Sequence, residues 1–181
     1  PADGKILYIR EIRNGRFPFS TKKGKEIPLS EFTNSDCFDG NMVQIGIGMN
    51  LLNVHVNRAP IGGKITLLKK VSGKFSSLKN LDSLLENERT VTVIDNDKFR
   101  IGMVQIASRL VRRITTFVES GSRVEIGQRI GLIHFGSQVD LLIPLYESLR
   151  VTIKEGQKVK AAESVIATID FTGHTLDEAG N

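Results

Sequence analysis

Short runs of Ile, Val and Leu that alternate with polar residues, each closed by Gly, Asn, Asp or Ser, recur along almost all of this 181-residue chain. Alternation with period two fits a pleated strand, and frequent breakers keep each strand short. The pattern predicts strands at 5–12, 42–48, 63–71, 90–95, 99–106, 115–118, 129–134, 139–144, 149–153 and 164–169. Asn96-Asp97 reads as a hairpin turn between two of them. Residues 107–114 are ambiguous, since Leu110, Val111 and Ile114 also suit one helical face. The fold is expected to be mainly β.

A weak internal repeat sharpens that expectation. Residues 121–133 align with 156–169, each reading turn, short strand, turn, strand. The predicted architecture is therefore a β-sandwich or barrel with internally repeated, lipoyl-like (phosphotransferase-type) hairpin units and few short helices. One domain over 1–181 suits the length. Residues 75–89 read as a surface excursion and 171–181, with His174, as a flexible tail.

Composition excludes several classes. A hydrophobic content of 40% supports a packed core, and no apolar run approaches the roughly 20 residues of a membrane helix. The longest, Met42 to Leu52, is interrupted by Gln44, Gly46 and Gly48. The chain starts without a methionine, which predicts a preceding segment. A single cysteine, Cys37, rules out an internal disulfide or a thiolate metal site. His55, His134 and His174 lack ligand-like spacing, so no metal is expected. The net charge of +5 favours an anionic partner, whereas 6% aromatics without Trp leaves few platforms for stacking bases. An anionic membrane surface is thus preferred over nucleic acid.

The chemistry concentrates in three places. Gly136-Ser137 joins two apolar segments, and glycine leaves the carbonyl before Ser137 sterically open. A serine hydroxyl there can attack that carbonyl to give an ester. The hydroxyl needs a base, for which His55 is the candidate; alternation places His55 and Asn57 opposite Val54 and Val56. Asp3 supplies a carboxylate to orient the imidazole and stabilise its cation.

Together Pro1-Ala2-Asp3-Gly4, Val54-His55-Val56-Asn57-Arg58-Ala59-Pro60 and Gly131-Leu132-Ile133-His134-Phe135-Gly136-Ser137 resemble the phosphatidylserine decarboxylase proenzymes of the short archaeal and bacterial type. Further matches are Gly73-Lys74-Phe75, Glu86-Asn87-Glu88-Arg89 and Val104-Gln105-Ile106-Ala107 with Arg112-Arg113-Ile114. The resemblance implies self-cleavage at Gly136-Ser137 into a β chain of 1–136 and an α chain of 137–181. Ser137 is then the pyruvoyl precursor, with no pyridoxal phosphate. It also implies decarboxylation of a serine phospholipid, with either a diacyl or an archaeal ether backbone (archaetidylserine). The expected location is the cytoplasmic side of the membrane, peripheral or anchored by a preceding segment, and a homodimer is compatible. His55 is expected to return a proton to the substrate, and Arg58, Asn57 and His134 are substrate-binding candidates. Asn53 stands where the family usually has Asp, His134 where Arg is common, and Arg58 where longer bacterial enzymes carry a second histidine. Two other readings remain: a pyruvoyl decarboxylase of a soluble amino acid, and a non-catalytic biotinyl or lipoyl-like binding module. The latter needs a lysine at a hairpin tip, where this chain has Phe-Gly-Ser.

Overall fold

The protein is seen here as a computed structural model, which describes residues 1–20, 26–38, 40–50, 52–73, 87–107, 114–133 and 137–171. It is mainly β, built on one sheet that curls into a half-barrel. In chain order the elements are β1 (Gly4–Ile12), β2 (Arg16–Ser20), β3 (Glu26–Pro28), α1 (Leu29–Thr33), β4 (Met42–Met49), β5 (Val56–Arg58), β6 (Gly63–Val71) and β7 (Arg89–Asp95). They continue with β8 (Arg100–Ile106), β9 (Ile114–Thr116), β10 (Arg123–Val124), β11 (Arg129–Ile133), β12 (Ser137–Pro144), β13 (Leu149–Val151), β14 (Lys158–Val159) and β15 (Ala167–Ile169). The large sheet has eight strands in the order β10-β6-β7-β8-β12-β4-β1-β14, and β5-β11-β9 forms a three-stranded sheet beside it.

Both faces of the central strands are covered. On β12, Val139, Leu141 and Ile143 join Ile45, Ile47 and Met103 in one core cluster, while Leu142 joins Val104, Ile106 and Val91 in another. The second cluster is closed by Phe17 and by Leu29 and Phe32 of α1. Each fully buried side chain of this size contributes roughly 2 kcal/mol, so these two layers dominate the stability. Arg89 pins α1 onto the sheet: its Nε donates to the Phe32 carbonyl at 2.7 Å, and a terminal nitrogen donates to that of Glu31 at 3.1 Å. These carbonyls lie at the helix C-terminus, where a cation complements the unpaired acceptors.

The edges of the sheet are closed in matching ways. β14 pairs with β1 at Gly4↔Val159 and Lys5↔Lys158, and β10 pairs with β6 at Gly63↔Val124 and Lys64↔Arg123. Ile6 exchanges backbone bonds with Gly156 and Gln157, as Ile65 does with Gly121 and Ser122. A bulge follows each isoleucine, between Ile6 and Tyr8 and between Ile65 and Leu67. The segments aligned in the sequence therefore cap opposite edges of one curled sheet. Their second strands, β11 and β15, enter different small sheets. This differs from a sandwich of paired hairpin units.

Other expectations need correction. Asn87 and Arg89, at the end of the presumed surface excursion, are buried, and residues 75–86 lie outside the described residues. Strands expected at 115–118, 149–153 and 164–169 are only three residues long, because turns replace pairing at their ends. The short strands expected in the two repeats are β10 and β14, whereas β2, β3 and the five-residue α1 escaped the pattern, being too short to establish a period. Phe171 stacks on Phe99 with ring centroids 5.4 Å apart, so the presumed tail is anchored at its first residue; 172–181, with His174, lie outside the described residues. Most of the ambiguous 107–114 stretch lies outside them too.

Candidate active site

Strand pairing brings Asp3 and Ser137 to one end of the large sheet, and His55 lies just ahead of β5 in the neighbouring three-stranded sheet. Ser137 opens β12 opposite Met49, the last residue of β4, and on the other side of β4 Gly48 pairs with Lys5 of β1. Asp3 precedes β1 directly, two strand spacings from Ser137, or roughly 10 Å between backbones. Gly4 keeps this approach open, since a side chain there would collide with the Gly48 carbonyl. The Asp3 carboxylate is held by the Ala161 N–H, which donates to Oδ1 at 2.7 Å.

His55 is delivered by the turn that follows β4. Asn50 N–H donates to Asn53 Oδ1 at 2.8 Å and Leu52 N–H to Asn50 Oδ1 at 2.9 Å, two side-chain caps that reverse the chain. The His55 carbonyl accepts from Ile133 N–H at 3.1 Å, so the imidazole segment runs beside the end of β11. From there only residues 134–136 separate β11 from Ser137. Gly136 and His134 themselves lie outside the described residues. The His55 Nε2 is shielded from solvent.

Ser137 is 3% exposed, and its Oγ has no hydrogen-bond partner among the described residues. A buried hydroxyl without a partner is costly, by about 1–3 kcal/mol, and is often retained for chemistry. Its side of β12 also carries Val139 and Leu141.

The wall beside Ser137 contains a polar pair that the sequence reading did not identify as such. Gln105 Nε2 donates to Asn57 Oδ1 at 2.7 Å, and Asn57 Nδ2 points at Met49 Sδ, 3.8 Å away. Met49 is the strand partner of Ser137 and Gln105 that of Val139, so this pair abuts the serine. Gly131 makes room for it, since a Cβ there would come within 2.9 Å of Gln105 Nε2. Asn57 is fully buried, with both ends of its amide directed at protein atoms. Arg58 faces outward from β5 and donates to the Gly127 carbonyl at 2.8 Å, while its N–H bonds the Pro1 carbonyl at 2.8 Å.

A second polar cluster locks β12 from its other face. Asp140, wholly buried, accepts from Tyr8 Oη at 2.8 Å, Gln44 Nε2 at 2.6 Å and Gln138 Nε2 at 2.6 Å. The bulge after Ile6 turns Tyr8 to this side, and Gly46 lets its ring cross β4, since any side chain there would strike it. Burial pushes the Asp140 carboxyl up to about 6, although its three donors favour the charged form. An unfolded aspartate titrates near 3.9, so between about pH 4 and 6 the folded chain holds a proton that the unfolded chain has lost. Stability should therefore fall as pH rises through that window, by about 3 kcal/mol on complete titration, and stay level above it. Asp140→Asn should flatten this slope in thermal denaturation followed from about pH 4 to 8. Any mismatch of the new amide is independent of pH, so the slope is the readout. Equal slopes in both proteins would show that Asp140 titrates alike folded and unfolded.

Among the described residues no group of three or more His, Cys, Asp or Glu side chains is placed to hold a metal ion. None of the helices among them is long and apolar enough to cross a membrane.

Comparison with known proteins bears on the whole of this arrangement. The family model for phosphatidylserine decarboxylase matches residues 1–167. A phosphatidylserine decarboxylase proenzyme of Xanthobacter autotrophicus is 39% identical over 170 residues, covering 93% of this chain and 64% of the relative. A proenzyme of Methanocaldococcus jannaschii, provisionally named for archaetidylserine decarboxylation, is 36% identical over 171 residues, covering 92% and 78%. A similarly named chain of Methanothermobacter thermautotrophicus is 38% identical over 167 residues, covering 92% and 70%. With a match that begins ahead of Asp3 and runs past Ser137, the chain belongs to the phosphatidylserine decarboxylase family.

Proposed function

We propose that this chain cleaves itself at Gly136-Ser137 and then decarboxylates a serine phospholipid, phosphatidylserine or its archaeal ether counterpart, to the ethanolamine lipid. The observation that carries the reading is the buried Ser137 Oγ, without a hydrogen-bond partner among the described residues, at the sheet end where the chain passes from Asp3 into β1. A hydroxyl in that position fits the precursor of a pyruvoyl group. Relatives named as proenzymes for both lipids support the substrate class.

In this reading His55 takes the Ser137 proton as Oγ attacks the Gly136 carbonyl, and Asp3 holds the imidazole and stabilises its cation. The amide nitrogen leaves, giving an ester. Loss of the ester oxygen by β-elimination and hydrolysis of the resulting dehydroalanine complete the two-chain enzyme of 1–136 and 137–181. The pyruvoyl ketone supplies the electron sink for loss of carbon dioxide from the bound serine headgroup. His55, free of its first task, returns a proton to the former α-carbon. The Gln105–Asn57 pair keeps the wall behind Ser137 rigid, and Arg58 supplies a guanidinium for the phosphodiester. The work is assigned to the cytoplasmic face of a membrane, with the basic surface favouring anionic lipid. The matching bulges suggest a duplication in which one half kept Asp3 before its Gly-Lys-Ile and the other has Gly62.

A chemical trap tests this. Borohydride with phosphatidylserine present should inactivate the mature protein irreversibly and add the substrate's mass to the smaller chain. Hydroxylamine should also inactivate, and added pyridoxal phosphate should change nothing. Activity that survives both reagents yet depends on pyridoxal phosphate would refute the reading.

A further inference from the structure

An open cavity of about 400 Å³ lies on the face of β12 that carries Ser137, with an apolar lining that includes Ile61, Ile101, Leu141, Ile143 and Ile166. Its size is within the range of small-molecule sites. The two segments that bring Asp3 and His55 to the serine also build its walls. Pro1 lines the cavity two residues before Asp3, and Ala59, Pro60 and Ile61 line it just after Arg58. Along β12, Leu141 lies four residues from Ser137, roughly 13 Å at strand rise. That distance is comparable with the span of a glycerophosphoserine headgroup from its amine to the start of its hydrocarbon.

Arg58, on the segment that leads from His55 into the cavity wall, bonds the carbonyl of Gly127, itself a lining residue. The stretch from His55 through Arg58 thus runs directly into the cavity wall at Ala59, Pro60 and Ile61, so the cavity is continuous along the chain with the candidate site. The mouth carries two large apolar side chains left in solvent, Ile126 at 74% and Val165 at 61% exposure. Exposed apolar rims around an apolar pocket mark binding sites for apolar ligands.

We propose that this cavity is the subsite for one hydrocarbon chain of the lipid, with Ile126 and Val165 guiding the chain in from the bilayer. The proposal rests on the serine-lipid reading above, and it makes the enzyme a reader of hydrocarbon as well as of headgroup. Each methylene buried there should tighten binding about three- to four-fold until the cavity is full.

The test measures binding and uses no turnover. Calorimetry would compare dihexanoyl and dioctanoyl phosphatidylethanolamine, both kept monomeric, with glycerophosphoethanolamine, which has the same headgroup and no chains. The protein should prefer the longer chain strongly. Val165→Glu should weaken dioctanoyl binding by about ten-fold or more, equivalent to 1.4 kcal/mol, and leave the chainless ligand unchanged. Phe117→Glu, at an exposed apolar residue away from the cavity, should leave both unchanged. Affinity indifferent to chain length, or equal losses in the Val165 and Phe117 variants, would overturn the proposal. A failed decarboxylation assay with this chain preference intact would count against the serine-lipid reading alone. The converse, turnover without chain preference, would count against the subsite alone.

Discussion

Ser137→Ala should yield one uncut 181-residue chain with no decarboxylase activity. Alanine has no β-oxygen, so nothing can attack the Gly136 carbonyl and nothing can later be eliminated. The change is small and sterically mild: it deletes a hydroxyl that has no hydrogen-bond partner among the described residues. Removing a buried polar atom of that kind should leave stability unchanged or raise it slightly. Loss of processing with an intact or higher Tm would therefore separate chemistry from folding. Normal cleavage of this variant would remove Ser137 from the account.

His55→Ala should slow self-cleavage by about a thousand-fold or more, within the usual contribution of a positioned base. Asp3→Asn should slow it by orders of magnitude while still giving product, because an orienting carboxylate assists the imidazole without exchanging the proton itself. The two variants differ in another respect. The Asp3 carboxylate also receives the Ala161 N–H at 2.7 Å, next to the edge strand β14. Asparagine can keep that bond through its carbonyl oxygen, so the edge should remain closed while the charge is lost. Cleavage time courses on freshly translated precursor would resolve these rates. Unchanged rates in both variants would dismiss the pair from catalysis.

The long strands were legible as runs rich in Ile, Val and Leu bounded by turn residues, as in β1, β6, β7 and β8, and along the start of β1 the burial itself alternates. The candidate site residues stood out as three motifs in chain order, each short and each carrying one polar group suited to the proposed chemistry. What stayed hidden has a common physical cause. β12 is buried on both faces, so polar residues at alternate positions there do not mark a solvent side. Gln138 and Asp140 look like the wet face of an edge strand. In the fold they meet Tyr8 and Gln44 from β1 and β4, beneath the layer of α1. No local pattern predicts such a meeting, because the bulge that turns Tyr8 inward depends on pairing with β4. The Gln105–Asn57 pair was hidden in the same way, as 48 residues separate partners joined only by sheet curvature. Arg89 read as a loop charge because the helix it caps is too short to announce itself.

The account's central claim is that the bond before Ser137 breaks to leave a ketone. Intact-mass measurement of the purified protein tests it most directly. The smaller chain should begin at residue 137 and weigh less, by one ammonia, than the same 137–181 segment with a free serine amine. It should resist stepwise N-terminal degradation, and carbonyl-directed hydroxylamine should shift its mass by one oxime. A smaller chain carrying an unmodified N-terminal serine, or a protein that stays whole yet decarboxylates serine lipid, would contradict the account.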